Sequence, residues 1–203
     1  MKLNYLVPLL CLTTAAAYAA PETFDFKDPK NVNNAVFKLD APLESVNGSA
    51  SGISGSVTFD PQNPGATTGK IVIASESLTV PNPMQKEHLH GPKWLDVANY
   101  PEITFEAKSL ASISTTGDTT TADVTGTFTL HGVAKEITAP VKFTYLKGRL
   151  GDRVPNMKGD LLVIRSTFSI NREDFNIQKG KFEDKVANEI DLTLAIAGAA
   201  PTP

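Results

Sequence analysis

The chain has 203 residues, a net charge of −3 and a single cysteine, Cys11. That length suffices for one domain with a full hydrophobic core. The acidic balance, with no basic run to neutralise phosphates, argues against a nucleic-acid partner, and one cysteine excludes an internal disulfide and a thiolate metal cluster.

Lys2, the apolar run Tyr5 to Leu12 and then Ala17-Tyr18-Ala19 follow the order of a secretory signal peptide: a positive start, an apolar middle and a small-x-small cleavage site. Residues 1–19 are expected to be removed, because cleavage one bond later would leave Pro21 at the first position. The run is shorter than the ~20 residues that span a bilayer, so no integral membrane span is expected in the mature chain. Cys11 follows Leu10 rather than a small residue, which speaks against lipidation. The expected location is the periplasm, or outside the cell, and a cysteine-free chain there holds together by burial alone.

Residues 20–197 read as one domain. Phe24 and Phe26 give a short alternation, and Ala35, Phe37 and Leu39 give another. Val46 to Ser56 is rich in Gly and Ser. It is either a flexible linker or a strand bent at its glycines; Val57 and Phe59 resume alternation at once, which favours the bent strand. Asp60 to Gly65 is a loop, and Ile71 and Ile73 begin the next strand. Met84 to His90 carries no Gly or Pro and predicts a short helix near 84–90, stopped by Gly91-Pro92. Trp94, Leu95, Val97 and Tyr100 form an apolar knot without alternation. The stretch predicts a helical plug at one end of a sheet.

From Glu102 onward the period is two. Ile103, Phe105 and Ala107 face one way. After the turn at Gly117-Asp118, so do Ala122, Val124, Gly126, Phe128 and Leu130. His131-Gly132 turns the chain into Ile137, Ala139, Val141, Phe143 and Tyr145. Gly148 to Gly159 is a charged loop. Leu162, Ile164, Ser166, Phe168 and Ile170 follow, then Ile190, Leu192, Leu194 and Ile196, and residues 198–203 read as a disordered tail. Strands with one apolar face, short turns and no helices to cover a sheet predict an all-β fold: an antiparallel up-and-down barrel of about eight strands with one short helix.

No catalytic constellation stands out, neither a nucleophile elbow, a phosphate-binding loop nor H-E-x-x-H, so the chain reads as a non-enzyme needing no cofactor. His88 and His90 would share a metal if they lay on a strand with a third ligand such as His131, Glu87 or Asp96. Otherwise His88 bonds backbone at the plug and His90 is exposed. His131, before Gly132, reads as a turn histidine bonding local backbone rather than a catalytic base. Arg172 is expected to hold a strand end against Asp174.

Three stretches carry a resemblance. H-L-x-x-P-x-x-x-D-V-x-x-Y-P-x-I-x-F from His88 to Phe105, the strand and turn from Gly126 to Val133, and F-x-I-x-R-x-D-F from Phe168 to Phe175 resemble the signature segments of the YceI family. The resemblance implies a lipocalin-like barrel that holds a polyisoprenoid or similar long-chain lipid. Asn176 stands where the family pattern has a glycine after D-F.

Closed into a barrel, the alternation puts Ile103, Phe105, Val124, Phe128, Val141, Phe143, Ile164, Phe168, Leu192 and Leu194 on the lumen wall as candidate ligand-binding residues. An eight-stranded barrel is either just filled by side chains or holds one small ligand. Ala107, Ala122, Gly126, Ala139 and Ser166 are small and share the inward register, which leaves room for a ligand or offsets the phenylalanines opposite. The expected function is storage or transport of an apolar ligand such as a polyisoprenoid or quinone. The alternative is a stress-related interaction module with a filled barrel, and a hydrolase using His88 or His131 stands third. The sequence sets no oligomeric state, and a homodimer is compatible with it.

Overall fold

The alternating segments close into an eight-stranded antiparallel barrel. The computed structural model describes residues 21–202, so the expected signal segment 1–19 lies outside the described residues. The strands are β1 (Glu22–Asp25), β2 (Asn34–Asp40), β3 (Ser45–Ala50), β4 (Ile53–Phe59), β5 (Thr68–Ala74), β6 (Glu102–Thr116), β7 (Thr119–Leu130), β8 (Val133–Leu146), β9 (Gly159–Asn171) and β10 (Glu189–Pro201). The helices are α1 (Pro83–His90) and the single turn α2 (Leu150–Arg153).

Ten segments make eight wall positions because two positions are split. β2 pairs with β10 from Ala195↔Asn34 to Asp191↔Lys38, and β1 pairs with the same strand at Asp25↔Ala199. β1 and β2 are thus one wall strand, interrupted by residues 26–33. Its neighbour is split likewise: β3 pairs with β2 and β4 with β1. The bent strand expected between Val46 and Ser56 is therefore two strands with a break at Ser51-Gly52. Gly55 holds φ at +106, and a Cβ there would sit 2.1 Å from the Lys70 carbonyl, so only glycine fits. The strap at 26–33 is fixed by Asn33. Its amide donates to the carbonyls of Phe26 and Ala197, and its Oδ1 accepts from Ala197 N–H and Arg153. Asp28 pairs with Arg153 at 2.9 Å.

Of the expected tail at 198–203, residues 198–201 are strand. β10 continues to Pro201, with Gly198 opposite Leu162 and Pro201 opposite Gly159. The ladder is a backbone structure and does not need large apolar side chains, which the sequence lacks there.

One end of the barrel is solid. Phe24, Phe26, Leu150 and Leu162 are fully buried, and Phe59 stacks on Phe143 with ring centroids 5.5 Å apart. The hairpin between β2 and β3, α1 with its following knot, and the loop at 172–188 gather at the other end. Asn82 caps α1 by accepting from the N–H groups of Met84 and Gln85, and Pro83 occupies the first turn, where its missing donor costs nothing. One seam of the wall is incomplete. The β8–β9 ladder runs only from Leu146↔Leu161 to Val141↔Ser166, leaving Val133–Pro140 and Thr167–Asn171 unpaired with each other. Among the described residues no helix is long and apolar enough to cross a membrane.

Candidate functional site

Between the solid floor and the helical end lies a cavity of about 390 Å³, within the roughly 300–1,000 Å³ of small-molecule sites. Its wall takes alternate residues from the long strands, and its roof takes residues from α1 and the loop at 172–188. All ten residues read from the alternation are on this wall: Ile103, Phe105, Val124, Phe128, Val141, Phe143, Ile164, Phe168, Leu192 and Leu194. Of the small inward residues, Ala107, Ala139 and Ser166 border it. Ala122 packs in the floor cluster instead. Gly126 leaves no room, because Phe105 lies over it; a Cβ there would be 2.6 Å from Phe105 Cζ.

Polar groups are few, and those exposed on the connections between strands mark the opening. Glu44, Gln85, His88 and Lys185 are exposed and line the cavity, as does Phe182. The mouth therefore lies between the β2–β3 hairpin, α1 and the loop before β10. Sequence reasoning missed these residues, since they sit on connections rather than in an alternating run.

The mouth loop is held by a buried cation. Arg172 is 1% exposed, and its guanidinium donates to the backbone carbonyls of Ile177, Gln178, Lys181, Val186 and Ala187 at 2.6–3.3 Å. The expected pairing with Asp174 is not made. A planar five-donor fork suits a ring of carbonyls as no lysine would.

The histidines go separate ways. The stretch is a helix, so residues two apart point to different sides. His88 faces the cavity, whereas His90 Nε2 lies 2.7 Å from the Leu78 carbonyl. That reverses the backbone-bonding role expected of His88. His131 takes φ +50 at its turn, with Nδ1 3.2 Å from the Phe175 carbonyl and its ring edge-on to Tyr100. Among the described residues no three His, Cys, Asp or Glu side chains gather as a metal site.

At the closed end Tyr145 donates to Asp160 Oδ2, and Gly148 N–H donates to Oδ1 at 2.7 Å. Burial raises Asp160, but the bonds from Tyr145 and Gly148 outweigh it and hold the carboxyl below its usual range. Burial, then the charge of Asp160, pushes Glu22 up, and Glu22 Oε2 is buried without a hydrogen-bond partner.

A family model described as the YceI-like domain matches residues 27–197, most of the barrel. The chain belongs to the YceI-like family. This YceI-like chain is similar to a UPF0312 protein of Enterobacter sp. (strain 638), 29% identical over 93% of this chain and 91% of the relative. It is also similar to a UPF0312 protein of Yersinia pestis (strain Pestoides F), 30% identical over 74% of this chain and 72% of that one. Among solved structures, Burkholderia cenocepacia BcnA superposes with a TM-score of 0.64 at 22% identity, covering 81% of this chain and 94% of BcnA. A polyisoprenoid binding domain from Saccharophagus degradans superposes with a TM-score of 0.63 at 13% identity, over 90% of this chain and all of that domain. These likenesses speak for the fold. Asn176, at the family's glycine position, takes a left-handed conformation at φ 58, which asparagine tolerates better than most residues.

Proposed function

We propose that this YceI-like protein is a carrier without turnover: it holds a long-chain apolar ligand, a polyisoprenoid, quinone or similar lipid, in its lumen for storage or transport in the periplasm. The observation that carries the reading is the apolar cavity, closed by an aromatic floor and open at one polar-rimmed mouth. A tail entering it leaves water, which favours binding by about 0.8 kcal/mol per buried CH₂, against the cost of immobilising a flexible chain. Glu44, Gln85, His88 and Lys185 stand where a polar end group would remain. The polyisoprenoid binding domain of Saccharophagus degradans, similar in fold, supports the ligand class. The signal-like start of the sequence supports the periplasmic setting.

Native mass spectrometry of protein purified without detergent, followed by organic extraction, tests the reading. A copurifying lipid of stoichiometric mass is expected. If none copurifies, and added polyprenyl lipids or quinones neither bind nor raise the melting temperature, the carrier reading fails and an interaction module takes its place.

A further inference from the structure

Three large apolar side chains stand in solvent at the open end, each on a different segment. Leu43 is 68% exposed on the β2–β3 hairpin, Met84 is 66% exposed on α1, and Phe182 is 52% exposed on the loop before β10. Leu43 N–H donates to the Asp184 carbonyl at 2.9 Å, which ties the hairpin to that loop. Phe182 both lines the cavity and faces outward, and Met84 adjoins the lining residue Gln85. One exposed apolar side chain is ordinary. Three around the mouth of an apolar cavity extend its surface out of the lumen and onto the rim.

We infer that this rim docks on a lipid bilayer, with Leu43, Met84 and Phe182 seated among the acyl chains, so that a ligand passes between membrane and lumen without crossing water. The identity of what passes rests on the carrier reading; the docking does not. Lys86, Lys93, Lys179, Lys181 and Lys185 lie among Glu44, Glu87, Glu173, Asp174, Glu183 and Asp184 on these segments. With both signs mixed, the rim has no strong attraction to anionic headgroups, and the surface it fits is a zwitterionic one entered by apolar insertion. A patch of three side chains is small beside the ~800 Å² per partner of a stable protein interface, whereas insertion into a bilayer needs only a few.

Trp94 is the only tryptophan, half-buried, with its ring 6.2 Å from that of Phe182. It reports on the rim without a label. The full mature chain is titrated with phosphatidylcholine vesicles carrying brominated acyl chains, which quench an indole that reaches them, and partition is measured in parallel by sedimentation. Quenching is expected, with little change between about 0.05 and 0.5 M salt. Leu43→Glu combined with Met84→Glu should weaken partition about tenfold or more, with Trp94 and Phe182 both kept and the circular dichroism unchanged. Val32→Glu should leave partition as it is; Val32 is 54% exposed, but on the strap tied to α2 at the closed end. Absence of quenching in the wild type overturns the docking, as does equal loss with Val32→Glu, or binding confined to phosphatidylglycerol vesicles and abolished by salt. Protein that carries lipid yet ignores vesicles defeats the docking alone. Vesicle binding by protein that never holds a lipid defeats the carrier reading alone.

Discussion

Arg172 Nη1 donates to the carbonyl of Ile177 at 2.8 Å, five residues along the same loop. The rest of the guanidinium is spent on Gln178, Lys181, Val186 and Ala187, so one side chain closes the loop that frames the mouth. Arg172→Ala is expected to cost at least about 3 kcal/mol, because several charge-assisted bonds of ~1.5–3 kcal/mol go at once. Arg172→Lys should recover little of this, since an ammonium cannot reach five carbonyls in one plane. Urea denaturation reads the loss, and amide exchange should show it concentrated in residues 172–188. Near-wild-type stability of Arg172→Ala would mean the loop is held by something else.

Gly126→Ala is expected to destabilise by about 1–3 kcal/mol. The new methyl would stand 2.5 Å from the Glu106 carbonyl and 2.6 Å from Phe105 Cζ, so the ring must swing off the wall toward the lumen. Ligand uptake should fall with it. Thermal melting and extraction of bound lipid, run on the same preparation, check both halves.

Ala139→Trp acts from the neighbouring strand β8, where Ala139 stands opposite Val124. Ala139 is 3% exposed and lines the cavity, so a large ring there fills space a ligand would take. The expected outcome is an intact strand-type circular dichroism spectrum with no bound lipid. Retained binding would place the ligand elsewhere.

The carboxyl pair at the closed end should give two opposed pH effects. Glu22 is raised by burial and by Asp160, so the stability it contributes is present at low pH and is lost as pH climbs through its elevated value, above about 4.5. Asp160 is depressed, so its contribution is present above the ordinary aspartate range and is lost as pH falls through its lowered value. Glu22→Gln is therefore expected to raise the melting temperature at neutral pH and to change little in acid. Asp160→Asn should lower it at neutral pH, since Tyr145 and Gly148 lose a charged acceptor. A flat difference between Glu22→Gln and wild type across pH would dismiss the Glu22 assignment.

N-terminal sequencing of exported protein is expected to begin at Ala20. An intact Met1 would mean that residues 1–19 are not a cleaved signal.

Much of the wall was legible because side-chain direction in a strand is a simple function of position. Phe128, two residues from Gly126, has to share its face whatever the tertiary structure does. What alternation does not carry is the identity of the hydrogen-bonded neighbour. Hence the split of one wall strand at 26–33 had only Asp28-Pro29 and two asparagines as its signature, and that of the next at Ser51-Gly52 only Gly and Ser. Ala199 and Ala200 read as a tail because their pairing with Leu161 and Asp160 is made by backbone. Arg172 was misread for a related reason: its partners are carbonyls, which every residue owns. Of the two readings open for the small inward residues, room for a ligand or an offset for the phenylalanines, Gly126 takes the second: Phe105 lies over it, since a glycine allows close approach.

The incomplete ladder between β8 and β9 bears on girth. A barrel zipped all round has a circumference fixed by its strand number and stagger, and widening it breaks a bond. Here the hoop is split: β8 and β9 part above Val141 and Ser166, on the side of the mouth. Amides of Ala134 to Ala139 that face β9 should exchange faster than those that face β7. A split ring grips rods of different thickness with the same metal, and a carrier so built would take a branched isoprenoid or a slimmer straight acyl chain.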